Sequence, residues 1–337
     1  TEGHCNVAVG ALSLNKNTTG DFNVAVGFCS LRCNTTTDSN TAIGAFALNK
    51  NVANSNTAIG KDALKCNTSG DTNSSVGTAS LDANTTGSNN IAMGTNALGA
   101  NTTGAENTAV GSSALNANTT GCQNTSVGRL SMFTNTEGCQ NVAIGRQSLY
   151  DNTTGDCNVA LGYNSLHNNE TADNNTAVGT HAMFANTTGA SNTAVGKDSL
   201  DSNTTGSNNT ALGLDALQAN TTASDTTAVG SQALFVSTGC RNVAVRSCSL
   251  KANTTGTHNV ASGYTSLFAN TEGCKNVASG YSALGSNTTG DDNVAMGCGA
   301  LGGNTTADNN TAIGSNSLKA NTTGCQNTAV GVSALVA

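Results

Sequence analysis

Small and apolar residues recur along this chain in one fixed pattern, with polar residues between them. Aligned on N-x-A-x-G, the copies start at Asn6, Asn23, Asn40, Asn56, Asn73, Asn90, Asn107, Asn124, Asn141, Asn158, Asn175, Asn192, Asn209, Thr226, Asn242, Asn259, Asn276, Asn293, Asn310 and Asn327. These twenty copies follow one another at 17 residues, with two copies of 16. With the leading residue as repeat position 1, position 3 is always Ala or Ser, and so is position 8. Position 9 is Leu in eighteen copies and Met in two, Met132 and Met183. Position 4 is apolar in eighteen copies, Ser262 and Ser279 being the exceptions. Position 5 is Gly except at Arg246, position 12 is almost always Asn, and positions 6, 7 and 10 vary freely.

This spacing does not follow the 3.6-residue period of a helix, and glycine recurs once or twice per copy. Two short strands per copy fit better, at positions 1–5 and 6–10, with "NTTG" as the turn. Asn and Gly tolerate positive φ, and Asn, Thr and Ser bond their own backbone in turns. Each copy then forms one coil of an all-β, parallel β-solenoid, and like positions stack about 4.8 Å apart. Twenty such coils predict a rod on the order of 100 Å long, one domain over residues 1–337. The expected core ladder is represented by Leu98, Ala109, Val110, Ala114 and Leu115.

Neighbouring residues on a strand point to opposite faces. Positions 3 and 4 are both restricted, and so are 8 and 9. A lone solenoid needs only its inward face restricted, so restriction on both faces predicts a second contact. Each coil buries two large side chains, about 1.5–3 kcal/mol each. Ordering its 17 residues costs about 25 kcal/mol. Backbone ladders and an intersubunit contact are expected to supply much of the difference, which predicts an obligate homo-oligomer.

Composition sharpens this picture. There is no Pro or Trp, aromatics are 3%, charged residues are 10%, and Gly is 39 of 337 residues. Large side chains for an ordinary globular core are therefore scarce. The net charge of −7 is thinly spread, with no basic stripe for nucleic acid. No apolar run approaches the roughly 18 residues of a membrane span. The chain begins at Thr1 without a signal-peptide pattern and is read as a processed product or a fragment.

"NTAVGSSALNANTTG" at 107–121 and "NVAVGALSLNKNTTG" at Asn6–Gly20 resemble the head repeats of trimeric autotransporter adhesins. Closely similar repeats occur in phage tail-fibre proteins that carry a self-cleaving chaperone domain. The resemblance covers essentially the whole chain, although adhesin head repeats are typically shorter and lack the enlarged "NTTG" turn. It implies a left-handed parallel β-roll packed as a trimer about its long axis. The first residues, "TEGHC", and the last, "VSALVA", nearly continue one another's register. The expectation is a slice of a longer array, or rods that stack head to tail.

Several features carry two readings. Fifteen position-12 asparagines head an N-x-S/T sequon, among them Asn84, Asn101, Asn118 and Asn203. They are read as glycan acceptors or as a structural ladder. Asn persists at Asn51, Asn135 and Asn270, where the sequon fails, which favours the ladder. Threonines at positions 13 and 14 suggest an ice-binding face or a solvated turn. Glu137, Glu272, Ala53 and Ser69 interrupt them, which favours the turn. Cys122 and Cys139 share position 16 in adjacent coils, within reach of a disulfide; free thiols are the alternative. Ser237–Tyr281 is irregular, with a deletion and Arg246 in place of Gly. It is read as a bend or ligand site, or as tolerated drift.

The four histidines are scattered with no obvious nucleophile or carboxylate partner. The turn acids Asp156, Asp173, Asp291, Asp292 and Asp308 lack calcium-loop spacing. No catalytic residue, metal site or cofactor is expected. The sequence thus predicts a structural protein, the shaft of an extracellular or cell-surface fibre. The alternative is an adhesin or virion tail-fibre module that binds a cell-surface glycan or receptor. Its expected partner is itself, with no nucleic acid and no membrane span.

Overall fold

A computed structural model of the chain describes residues 2–336. It contains twenty three-residue strands, one per repeat, and no helix among the described residues. Contacts group them into two compact units, Thr1–Asp173 and Asn174–Ala337. The first unit holds β1 (Val7–Val9) to β10 (Val159–Leu161), and the second β11 (Thr176–Val178) to β20 (Thr328–Val330). Within each unit, successive strands pair parallel, one repeat to the next. Thr108, Ala109 and Val110 of β7, for example, face Thr125, Ser126 and Val127 of β8. Each unit is a β-solenoid.

The strand occupies positions 2–4 only, and position 5 ends it. Gly111 sits at φ 135°, and a Cβ there would meet the Gly128 carbonyl oxygen at 2.6 Å. Coils are stacked too closely at this corner for any side chain. Arg246 is the exception, at φ 101°.

The expected second strand at positions 6–10 is absent. That stretch is a chain of turns in which positions 7 and 9 take left-handed backbone conformations. Ser113 has φ 54° and Leu115 φ 52°, and the same angles recur coil after coil. A β-branched or bulky residue adopts this region only when its surroundings enforce it. Two observations identify those surroundings. The Leu115 amide donates to the Ser131 carbonyl of the next coil at 2.9 Å, and the Ser113 amide to the Thr95 carbonyl of the previous coil at 2.9 Å. The stretch is therefore hydrogen-bonded in both directions without being a strand.

The turned backbone also changes which side chains face inward. Period 2 places positions 8 and 9 on opposite faces, but both are buried: Ala97 with Leu98, Ala114 with Leu115. Together with position 3, as at Ala109, they fill the interior of each coil. Where positions 3 and 8 are both Ser, as at Ser126 and Ser131, the two hydroxyls bond each other inside. Of the expected core ladder, Leu98, Leu115, Ala109 and Ala114 are buried. Val110 is not: it points outward from β7 and is only half-buried. Positions 3 and 4 do face opposite ways, as Ala109 and Val110 show, whereas positions 8 and 9 both face inward, which removes the argument for a second contact built on them.

Candidate functional site

Three sets of side chains follow from this geometry. The first is the outer face of the strands. Position 4 points away from the interior, and in the first unit Ile43 is 39% exposed, Met93 46% and Ile144 40%. In the second unit Leu212 is 46% and Met296 45% exposed. Position 2, on the same face, is β-branched in every copy but Ser74. None of the position-4 residues is buried. Each unit thus carries an apolar ridge one residue wide, repeated at the spacing of the coils.

The second set is polar and internal. Position-12 asparagines form a buried side-chain ladder. Asn101 Nδ2 donates to Asn84 Oδ1 at 2.7 Å, and Asn118 Nδ2 to Asn101 Oδ1 at 2.7 Å. In the second unit Asn203 Nδ2 donates to Asn186 Oδ1 at 2.7 Å. Each also donates to the turn carbonyl three residues on, as Asn84 to Gly87 at 2.9 Å and Asn118 to Gly121 at 2.9 Å. Asn84, Asn101, Asn118 and Asn203 are fully buried. In the folded coil, the nitrogens that a glycan would occupy are thus enclosed and doubly bonded. Position-1 asparagines build a parallel ladder: the Asn107 amide donates to Asn90 Oδ1 at 3.0 Å, and its Nδ2 to Gly121 O at 2.8 Å. Position-13 hydroxyls also bond along the stack, as Thr102 Oγ1 to Thr119 O at 3.0 Å.

Position 16 supplies the third set. Where this residue is Asp, Ser or Cys rather than Ala105 or Ala190, its side chain can accept a hydrogen bond from the position-16 amide of the preceding coil. Asp does this well: the Cys139 amide donates to Asp156 Oδ1 at 2.6 Å, and the Asp291 amide to Asp308 Oδ1 at 2.8 Å. Ser replaces it at Ser207, which accepts from the Ala190 amide at 3.1 Å. Sulfur replaces it at Cys139, Cys274 and Cys325, with amides at 3.1, 3.4 and 3.4 Å. This shared acceptor role explains why Asp, Ser and Cys alternate at one position. It also gives the turn acids Asp156 and Asp308 a backbone-capping role.

Cys122 and Cys139 approach to 2.8 Å between sulfurs, longer than the roughly 2.05 Å of a covalent bond, and all twelve cysteines are thiols. The contact with Cys139, and then burial, push the Cys122 thiol up to about 11.

Two of the four histidines, His167 and His181, have carboxylate neighbours that come from adjoining coils and so are not evident along the sequence. His167 Nδ1 lies 3.7 Å from Asp151 Oδ2, and its ring stacks on Tyr150 at 5.0 Å. His181 Nδ1 lies 3.4 Å from Asp198 Oδ1. In the irregular Ser237–Tyr281 segment, Ser237 occupies the ladder position and accepts weakly from Asn253 at 3.4 Å. Beside its end, glycines at 285, 299, 302 and 303 leave a groove of about 600 Å³ flanked by Phe268, Tyr281 and Lys319. No helix among the described residues is long and apolar enough to cross a membrane. Comparison with protein-family models finds no match, and comparison with curated proteins finds none.

Proposed function

We propose that this chain is the shaft of an extracellular fibre, and that its copies associate side by side, as a trimer, through the outer strand face. One observation carries the reading. Position 4 is half-buried or exposed in every copy of the single chain, yet it is apolar in eighteen of the twenty copies. Single exposed apolar side chains are ordinary, but an apolar residue at the same outward place in nearly every coil makes a contiguous stripe, and contiguous apolar surface marks an interaction site. A second copy is the occupant that fits, because a ridge repeated every coil meets an identical ridge in register. Buried amide ladders then give length and durability without a wide core. Electron microscopy of the native protein is expected to show uniform unbranched rods of several chains. Compact single-chain particles would refute the shaft.

The groove beside Phe268 and Tyr281 favours a second reading, a surface-recognition module, because an aromatic wall over a glycine floor suits a sugar ring. Binding on a glycan array that Tyr281→Ala abolishes supports it, and an empty array removes it.

A further inference from the structure

Two coils carry nearly the same string from position 6 to position 10. One reads Lys61-Asp62-Ala63-Leu64-Lys65, and the other Lys197-Asp198-Ser199-Leu200-Asp201. In both, the position-6 Lys pairs with the position-7 Asp, at 2.5 Å for Lys61–Asp62 and 2.9 Å for Lys197–Asp198. In the first coil the other carboxylate oxygen meets Lys65 Nζ at 3.3 Å. The chain therefore supplies cations on both sides of Asp62. In the second coil position 10 is Asp201, a second carboxylate in place of that lysine. The preceding coil adds His181 at position 7, where the sibling pair has Phe46.

His181, Asp198 and Asp201 each offer one ligand atom, and the three atoms lie within 4.8 Å of one another. The His181 Nδ1 to Asp198 Oδ1 separation is 3.4 Å. Donors held about 2.0–2.1 Å from a tetrahedral ion sit about 3.3 Å apart, so this edge already has the right length. The groups are held by rigid backbone: the Asp198 amide donates to Thr180 O at 3.0 Å. Phe184 meets the His181 ring edge-on at 5.6 Å.

We propose that His181, Asp198 and Asp201 bind a divalent transition-metal ion of the zinc type, which takes the place that Lys65 holds in the sibling coil. One imidazole nitrogen with two carboxylate oxygens is a borderline donor set, suited to zinc, cobalt or nickel rather than to the all-oxygen shells of calcium and magnesium. Water completes the coordination. The ion ties the coil that starts at Asn175 to the coil that starts at Asn192, a structural clip. This site is independent of the oligomer and of the fibre reading.

The test titrates Zn²⁺ and Co²⁺ into the full chain after its thiols are blocked by iodoacetamide, so that the twelve cysteines do not compete. One ion per chain is expected, with Co²⁺ giving visible bands typical of nitrogen and oxygen ligands. Asp201→Lys restores the sibling pattern and should abolish binding while leaving the circular dichroism spectrum unchanged. His181→Gln should weaken binding at least about tenfold, and Asp62→Asn should leave it unaltered. Binding that survives Asp201→Lys and His181→Gln together overturns the site. So does the absence of any saturable uptake by the folded, thiol-blocked protein.

Discussion

Replacing Asn118 with Ala removes one rung of the buried amide ladder. Three hydrogen bonds disappear: Asn118 Nδ2 to Asn101 Oδ1 at 2.7 Å, Nδ2 to Gly121 O at 2.9 Å, and Asn135 Nδ2 to Asn118 Oδ1 at 2.9 Å. A typical bond contributes about 0.5–1.5 kcal/mol net, and a buried partner left unsatisfied costs about 1–3 kcal/mol. All three partners are enclosed, so a loss of about 3 kcal/mol is expected. Asn116 is the matched control. It is another Asn of the same coil, but only half-buried, with one solvent-accessible side-chain bond to Asn96 O at 2.8 Å. Asn116→Ala should change stability by no more than about 0.5 kcal/mol. Urea unfolding followed by circular dichroism measures both, analysed with a nearest-neighbour scheme because repeat arrays open in segments. Hydrogen exchange at the Thr102 and Thr119 amides should quicken only in Asn118→Ala. Equal losses from the two substitutions, or a loss below about 0.5 kcal/mol for Asn118→Ala, would refute the ladder as a principal source of stability.

Other expectations follow from the same geometry. Arg246 holds φ 101° at a corner built for glycine, so Arg246→Gly should stabilise the protein by about 1–2 kcal/mol in the same urea assay; an unchanged or lower midpoint contradicts this. Oxidised glutathione should join Cys122 and Cys139: the two thiols lose two protons and two electrons, and one glutathione disulfide is reduced to two thiols. Peptide mapping that finds only mixed glutathione adducts would count against the pairing. The Cys122 thiol is raised from the ordinary 9.0 to about 11, so its protonated form is favoured by folding. That contribution is intact below pH 9.0 and is lost as pH climbs through about 11. Melting temperature should therefore fall more steeply across this window in the native protein than in Cys122→Ser.

The repeat grid was legible in the sequence because small, apolar and amide residues must coincide from coil to coil. Ala109, Ala114, Leu98 and Leu115 were recognisable as core for that reason. The preference for Asn where the sequon fails pointed to the ladder that contains Asn118. The turned stretch at positions 6–10 was not legible. Leucine disfavours positive φ, so nothing in Leu115 itself signals φ 52°; interior packing and hydrogen bonds to both neighbouring coils impose it. The same turn sends positions 8 and 9 inward together, which no two-residue period anticipates. Val110 reads as core from its apolar character, which alone does not tell on which face of β7 a side chain lies. The grouping of His181, Asp198 and Asp201 is not legible along the chain, where they stand 17 and 3 residues apart. Positions 7 and 10 of aligned coils held that signal, readable once the grid is laid out in rows.

The account rests on the outer strand face being an interface between copies of this chain. Light scattering on the purified native protein, beside a variant with Ile43→Glu and Ile144→Glu on that face, tests it most directly. The account predicts a native mass that is a small multiple of the 33.3 kDa chain, three chains in the trimeric reading, and dissociation or loss of folding in the variant. A native protein that scatters as one well-folded chain, with the variant equally stable, would contradict it.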